Sequence, residues 1–149
     1  MRDWAAEWRQ EGQISVWRYP KQSKHAGEWH FTGDPAGCRS IRNLIDRMGG
    51  GSACHRTLKL TQVTAAISAV PNFGEPKADC FSSMRIVFDP TVRDLMMDED
   101  GDRLILTFGD KRLRALRAAF AEVEFGNGDF GIATSDDRKA KGWWFWWMP

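Results

Sequence analysis

Five large aromatic side chains stand in a row near the end of this chain, as Trp143-Trp144-Phe145-Trp146-Trp147. Each carries on the order of 150–250 Å² of surface that gains by leaving water. Such a run makes a poor frayed tail. It must be a strand covered on both faces, or half of an interface. Side chains alternate along a strand. Trp143, Phe145 and Trp147 then share one face, and Trp144, Trp146 and Met148 the other. One set can fill a core beneath helices, and the second needs its own cover. The remaining tryptophans are Trp4, Trp8, Trp17 and Trp29. Trp4, Trp8 and Trp17 offer a matching surface, so the two ends of the chain are expected to meet. Any of Trp143, Trp144, Trp146 and Trp147 left outside the core would form a partner-binding or dimer patch, because tryptophan is enriched at binding hot spots.

A chain of 149 residues suits a single domain, 1–149. It can bury a core without help from metals or disulfides. The net charge is +1, with a slightly basic first half and a slightly acidic second half. Neither half is a basic arm, which disfavours nucleic acid as a partner. Cys38, Cys54 and Cys80 are odd in number and match no zinc or redox spacing. They read as reduced thiols of a cytoplasmic protein. No stretch has signal-peptide or membrane-spanning character. No membrane and no cofactor is expected.

The pattern predicts an α+β fold, mainly an antiparallel sheet with two principal helices on one face. Residues 3–11 can open as a short helix capped by Asp3. Ile14 to Tyr19 and Glu28 to Gly33 read as strands, joined by the polar Lys21–Gly27 connection. Asp34 caps a helix with Pro35 at its first position, and Ile41, Leu44, Ile45 and Met48 form its apolar stripe. Gly49-Gly50-Gly51 ends it near 48. Arg56 to Val63 is a strand. Residues 64–79 are ambiguous, with a helical turn at Ala65–Val70 and a loop beyond. Met84 to Phe88 is a strand, and Leu95–Leu106 a hairpin around Asp98-Glu99-Asp100-Gly101-Asp102. A second helix spans 110–124, with Asp110 as its cap and Leu113, Leu116, Phe120 and Val123 inward. Phe130–Thr134 and Trp143–Met148 close the series.

Two stretches share one grammar. Phe31-Thr32-Gly33-Asp34 leads into the first helix and Thr107-Phe108-Gly109-Asp110 into the second, each helix ending at glycines. The units 13–88 and 93–148 both read as ββαββ, which suggests two half-repeats.

Residues with chemical potential do not assemble into a signature. His30, Cys38, Cys54, His55 and Cys80 lack the pair spacing that zinc requires. Cys38, in the first turn of a helix beside Arg39, is the thiol best placed for ionisation, yet no base or oxyanion partner accompanies it. The acidic run 98–102 departs from a calcium loop in its glycine position. The glycine-rich segments follow helices rather than precede them, so they are helix stops and not phosphate cradles. Arg39 and Arg42 on the first helix, and Arg114 and Arg117 on the second, lie opposite the apolar stripes. An anionic partner, best an acidic protein surface, would suit them.

The expected function is therefore a protein-binding module, leaning away from an enzyme. Its partner would be another protein or a second copy of itself, in an inhibitor, immunity-type or self-associating role. The candidate contact residues are Trp143, Trp144, Trp146, Trp147, Arg39, Arg42, Arg114 and Arg117. The alternative is a small-molecule binder or enzyme with an aromatic-lined pocket, using His30 or His55 with Asp34 or Asp129.

Overall fold

A computed structural model describes residues 7–19, 28–71, 79–137 and 139–149. The start of the expected N-terminal helix, with Trp4, lies outside these residues. So do the Lys21–Gly27 connection and part of the loop after Val70. Among the described residues, nine strands and three helices are delimited: β1 (Ile14–Arg18), β2 (Trp29–Gly33), α1 (Pro35–Met48), β3 (Cys54–Lys59), α2 (Ala65–Ala69), β4 (Asp79–Cys80), β5 (Ser83–Phe88), β6 (Met96–Asp100), β7 (Arg103–Phe108), α3 (Asp110–Glu124), β8 (Phe130–Ile132) and β9 (Trp143–Phe145). The fold is α+β, with α1 and α3 as the two principal helices.

Two sheets form instead of one. The first has the order β4-β1-β2-β9-β8 and the second β3-β5-β7-β6. Pairing is mostly antiparallel, with a parallel pair in each sheet, β2 with β9 and β5 with β7. The second order, read from its other end, is β6-β7-β5-β3. With the short α2 and β4 of the first half set aside, it matches β1-β2-β9-β8 when each strand is exchanged for the one at the same place in the other half. Each sheet thus takes strands from both halves of the chain.

One apolar core draws on both sheets and both long helices. In the first sheet, Val16, Phe31, Phe145 and Phe130 lie in one register line across four strands. Phe31, Phe120, Trp143 and Phe145 meet there, with ring centroids 4.9–6.0 Å apart. The opposite face is buried as well. Trp17, His30 and Trp144 form the next register line and join Tyr19, Trp146, Met148 and Ile67 of α2 in a second cluster. The second sheet is covered on one face only. β5 and β7 alternate fully buried and half-buried side chains along their length. Their sequences alternate to match, whereas β9 is aromatic on both faces.

The caps of the two long helices differ. Asp34 accepts from Gly37 N at 2.7 Å and from Gln13 N at 2.9 Å, so it caps α1 and also ties down the segment before β1. Asp110 is not the cap of α3. Gly109 holds that position, because a side chain there would run into the carbonyl oxygens of Val92 and Asp89 at 2.3 and 2.7 Å. The shared Gly-Asp pair is therefore one residue out of step between the helices. Asp110 enters the first turn of α3, where a negative charge suits the helix dipole, and accepts from Gly50 N at 3.2 Å.

Candidate functional site

Helices α1 and α3 pack side by side and antiparallel. The end of α1 meets the start of α3, where a Cβ on Gly49 would fall 2.3 Å from Leu113 Cδ2. At the other end, Arg39 and Arg42 of α1 reach Glu124 of α3. Arg39 Nε lies 3.3 Å from Glu124 Oε2, and Arg42 Nη2 lies 2.8 Å from Oε1, an ion pair off the hydrogen-bond line. Between them, Arg117 Nε meets Asp46 Oδ1 at 2.8 Å. The apolar stripes turn inward, so the arginines expected on separate solvent faces are brought to one surface.

A groove of about 200 Å³ runs along this surface, lined by Arg42, Arg114, Arg117, Ala118 and Ala121. Arg114 makes no ion pair among the described residues. Glu124 has a side chain only 7% exposed, and it anchors Arg39 and Arg42 from below. A second cleft of about 310 Å³ has Arg39, Arg9 and Arg47 in its lining together with Glu7 and Glu11. Phe125, directly after Glu124, is 74% exposed, more than any other large apolar side chain described. Sequence reasoning missed it. The available signal was its position off the Leu116-Phe120-Val123 stripe and beyond the last helical residue.

The tryptophan run divides between packing and surface. Trp143 is 1% exposed and belongs to the main core, and Trp146 is 6% exposed in the second cluster. Trp144 is half-buried and stacks on Trp146 at 6.3 Å. Trp147 turns outward at 42% exposure. It leaves the expected alternation because β9 ends at Phe145. The two chain ends meet only in part. Trp17 joins the C-terminal cluster, but Trp8 sits in the main core, where its Nε1 donates to Ser40 O at 3.0 Å and Arg56 covers its ring.

The other chemical candidates are drawn into structure. His30 is buried between Trp17 and Trp146, and its Nδ1 accepts from Trp146 Nε1 at 3.0 Å. That ring nitrogen therefore carries no proton. Cys38 is fully buried, and its thiol is pushed up to about 12 by burial first, with the Asp34 and Glu124 carboxylates adding to it. The helix start that favoured ionisation in the sequence is outweighed, and no thiolate nucleophile exists there near neutral pH. Burial also raises Cys54, while Cys80 is exposed. Asp98, Glu99 and Asp100 lie along the edge strand β6 and not at the hairpin tip, and Glu99 pairs with Arg18. Among the described residues, no three or more His, Cys, Asp or Glu side chains gather as a metal site. An aromatic-lined cleft does exist, bounded by Trp29, Leu95, Met97, Thr134, Lys141 and Trp143, but its volume is about 170 Å³. No helix among the described residues is long and apolar enough to cross a membrane.

Compared with known protein families, curated proteins and solved structures, the chain matches none.

Proposed function

We propose that this chain is a protein-binding module whose contact surface is the outer face of α1 and α3. The observation that carries this reading is the convergence of Arg42, Arg114 and Arg117 around one open groove, with Arg39 sharing Glu124 with Arg42 and the exposed Phe125 next to Glu124 in the chain. Arginine and exposed aromatic side chains are the types enriched at interface centres. An inhibitor or immunity-type role is one form of the function, and self-association is another. The free cysteines support a cytoplasmic setting within the same proposal. The small-molecule alternative rests on the cleft beside Trp29 and Trp143. Its 170 Å³ falls below the roughly 300–1,000 Å³ of ordinary ligand pockets, so the helix face is favoured.

A photo-reactive residue placed at Ala118, in full-length protein expressed in cells, tests the proposal. Thr57, exposed on the second sheet, is the control position. The expected result is a discrete protein adduct from position 118 and none from position 57. An adduct of twice the 17.0 kDa chain mass would identify a second copy as the partner. Equal labelling at both positions, or none at either, overturns the reading.

A further inference from the structure

The chemistry of the groove points to its occupant, on the reading of this face as a protein contact. A guanidinium carries five N–H donors in a fixed fork. The internal carboxylates engage few of them. Glu124 faces Nη2 of Arg42 and Nε of Arg39, and Asp46 faces Nε of Arg117. Arg42 Nε is buried without a hydrogen-bond partner among the described residues. Glu124 and Asp46 set two negative charges against the four guanidiniums of Arg39, Arg42, Arg114 and Arg117, so the surface stays net positive. The floor is alanine, Ala118 and Ala121, too short to fill the space above it.

We infer that the groove receives an acidic polypeptide segment. Its carboxylates reach Arg42, Arg114 and Arg117, and an apolar side chain between them packs on the Ala118–Ala121 floor. Arginine pairs with carboxylate through two parallel hydrogen bonds, and partial anchoring reduces the ordering cost of forming them. A nucleic acid fits less well. Duplex DNA places a charge about every 1.7 Å along its axis, whereas Asp46 and Glu124 sit among these arginines and Glu7 and Glu11 line the cleft beside Arg39. A peptide can space its carboxylates between them.

The test titrates a fluorescein-labelled peptide of three Glu-Glu-Leu repeats into the full-length protein, read by fluorescence anisotropy at about 0.15 M salt. Its Lys-Lys-Leu counterpart, duplex DNA and single-stranded RNA are the comparators. Saturable binding of the acidic peptide is expected, weakening as salt rises. The double variant R114E/R117E should weaken it about tenfold or more. The neutral pair R114Q/R117Q should also weaken it, by a smaller factor. Circular dichroism melting verifies that each variant is folded. Absence of saturable binding, equal binding by folded variants, or tighter binding of DNA or RNA overturns the inference. A protein adduct at position 118 together with no peptide binding refutes the acidic chemistry alone. Failure of both experiments refutes the contact surface itself.

Discussion

Replacing Trp146 tests whether the aromatic end of the chain holds the fold together. Trp146 is 6% exposed, stacks near His30 and Trp144, and donates its indole proton to His30 Nδ1 at 3.0 Å. Its own backbone N–H continues the sheet by donating to Phe31 O at 2.9 Å, and Thr32 Oγ1 donates to its carbonyl at 2.8 Å. Trp146→Ala keeps those backbone bonds but removes the ring. A buried Trp→Ala change costs about 3–5 kcal/mol through lost burial and the remaining cavity. Trp146→Phe keeps most of the ring and deletes the donor. His30 Nδ1 then remains as a buried acceptor without this donor, at a cost of about 1–3 kcal/mol. Trp147, 42% exposed, supplies the contrast. Trp147→Ala should stay within about 0.5 kcal/mol.

Urea and thermal unfolding, both followed by far-ultraviolet circular dichroism, separate the three variants without relying on tryptophan emission. In a chain of this size each kcal/mol moves Tm by about 2–4 °C. Trp146→Ala should therefore melt roughly 12 °C below the parent, taking about 4 kcal/mol at 3 °C each. These costs stay below a typical stability of about 5–15 kcal/mol, so the variants remain measurable. A Trp146→Phe protein with the parent midpoint would refute the indole–imidazole bond as a stabilising contact. A Trp147→Ala protein that destabilises as much as Trp146→Ala would refute the division of the run into core and surface.

Asp34→Ala loses acceptance from both Gly37 and Gln13 and should cost about 1–2 kcal/mol. Asp110→Ala should cost less in the same urea titration, because Asp110 holds only the exposed Gly50 amide, and the reverse order would refute the cap assignment. Thiol labelling of the native protein should modify Cys80 first, Cys54 more slowly and Cys38 only on unfolding. Because Cys38 is raised from 9.0 to about 12, its neutral form contributes stability that is complete below pH 9 and declines as pH rises toward 12. A Cys38→Ala variant should lack that part of the alkaline loss in a pH series of melts. If 13–88 and 93–148 are copies of one unit, neither expressed alone should fold, since each sheet needs strands from both, and mixing them should restore a cooperative melt. A half that melts cooperatively by itself would exclude the arrangement.

Local signals in the chain account for the long helices almost to the residue. Pro35 at the first position, Asp34 before it and the spacing of Ile41, Leu44, Ile45 and Met48 are short-range features that packing had no reason to override. The cap of α3 was less legible, because the contact that requires glycine at 109 comes from the turn at Asp89–Val92 and is invisible in the sequence around the helix. The cover for Trp144 and Trp146 was hidden for a similar reason. It includes Ile67, Val63 and Val70, in a segment whose prolines and small residues read equally as loop. His30 gave no sign of being buried among aromatic rings. That depends on the parallel register of β2 against β9, two strands separated by most of the chain.

The candidate surface shows the same division between local and nonlocal information. Placing Arg39 and Arg42 opposite one stripe, and Arg114 and Arg117 opposite the other, needs only helical periodicity. Bringing them together needs the helices to pack antiparallel, which the sheets impose. β2 feeds α1 and β7 feeds α3, and the two strands lie in different sheets that share one core. Glu124 then reaches across the helix pair and fixes Arg39 and Arg42 from a nearly solvent-free position. A carboxylate this buried is kept by its cations, and losing it would leave Arg42 with no ion-pair partner described for it. The architecture therefore ties the arginine surface to the integrity of the helix pair. A partner that binds the groove must accept it largely as it stands, because opening the helices would break the ion pairs that position the arginines.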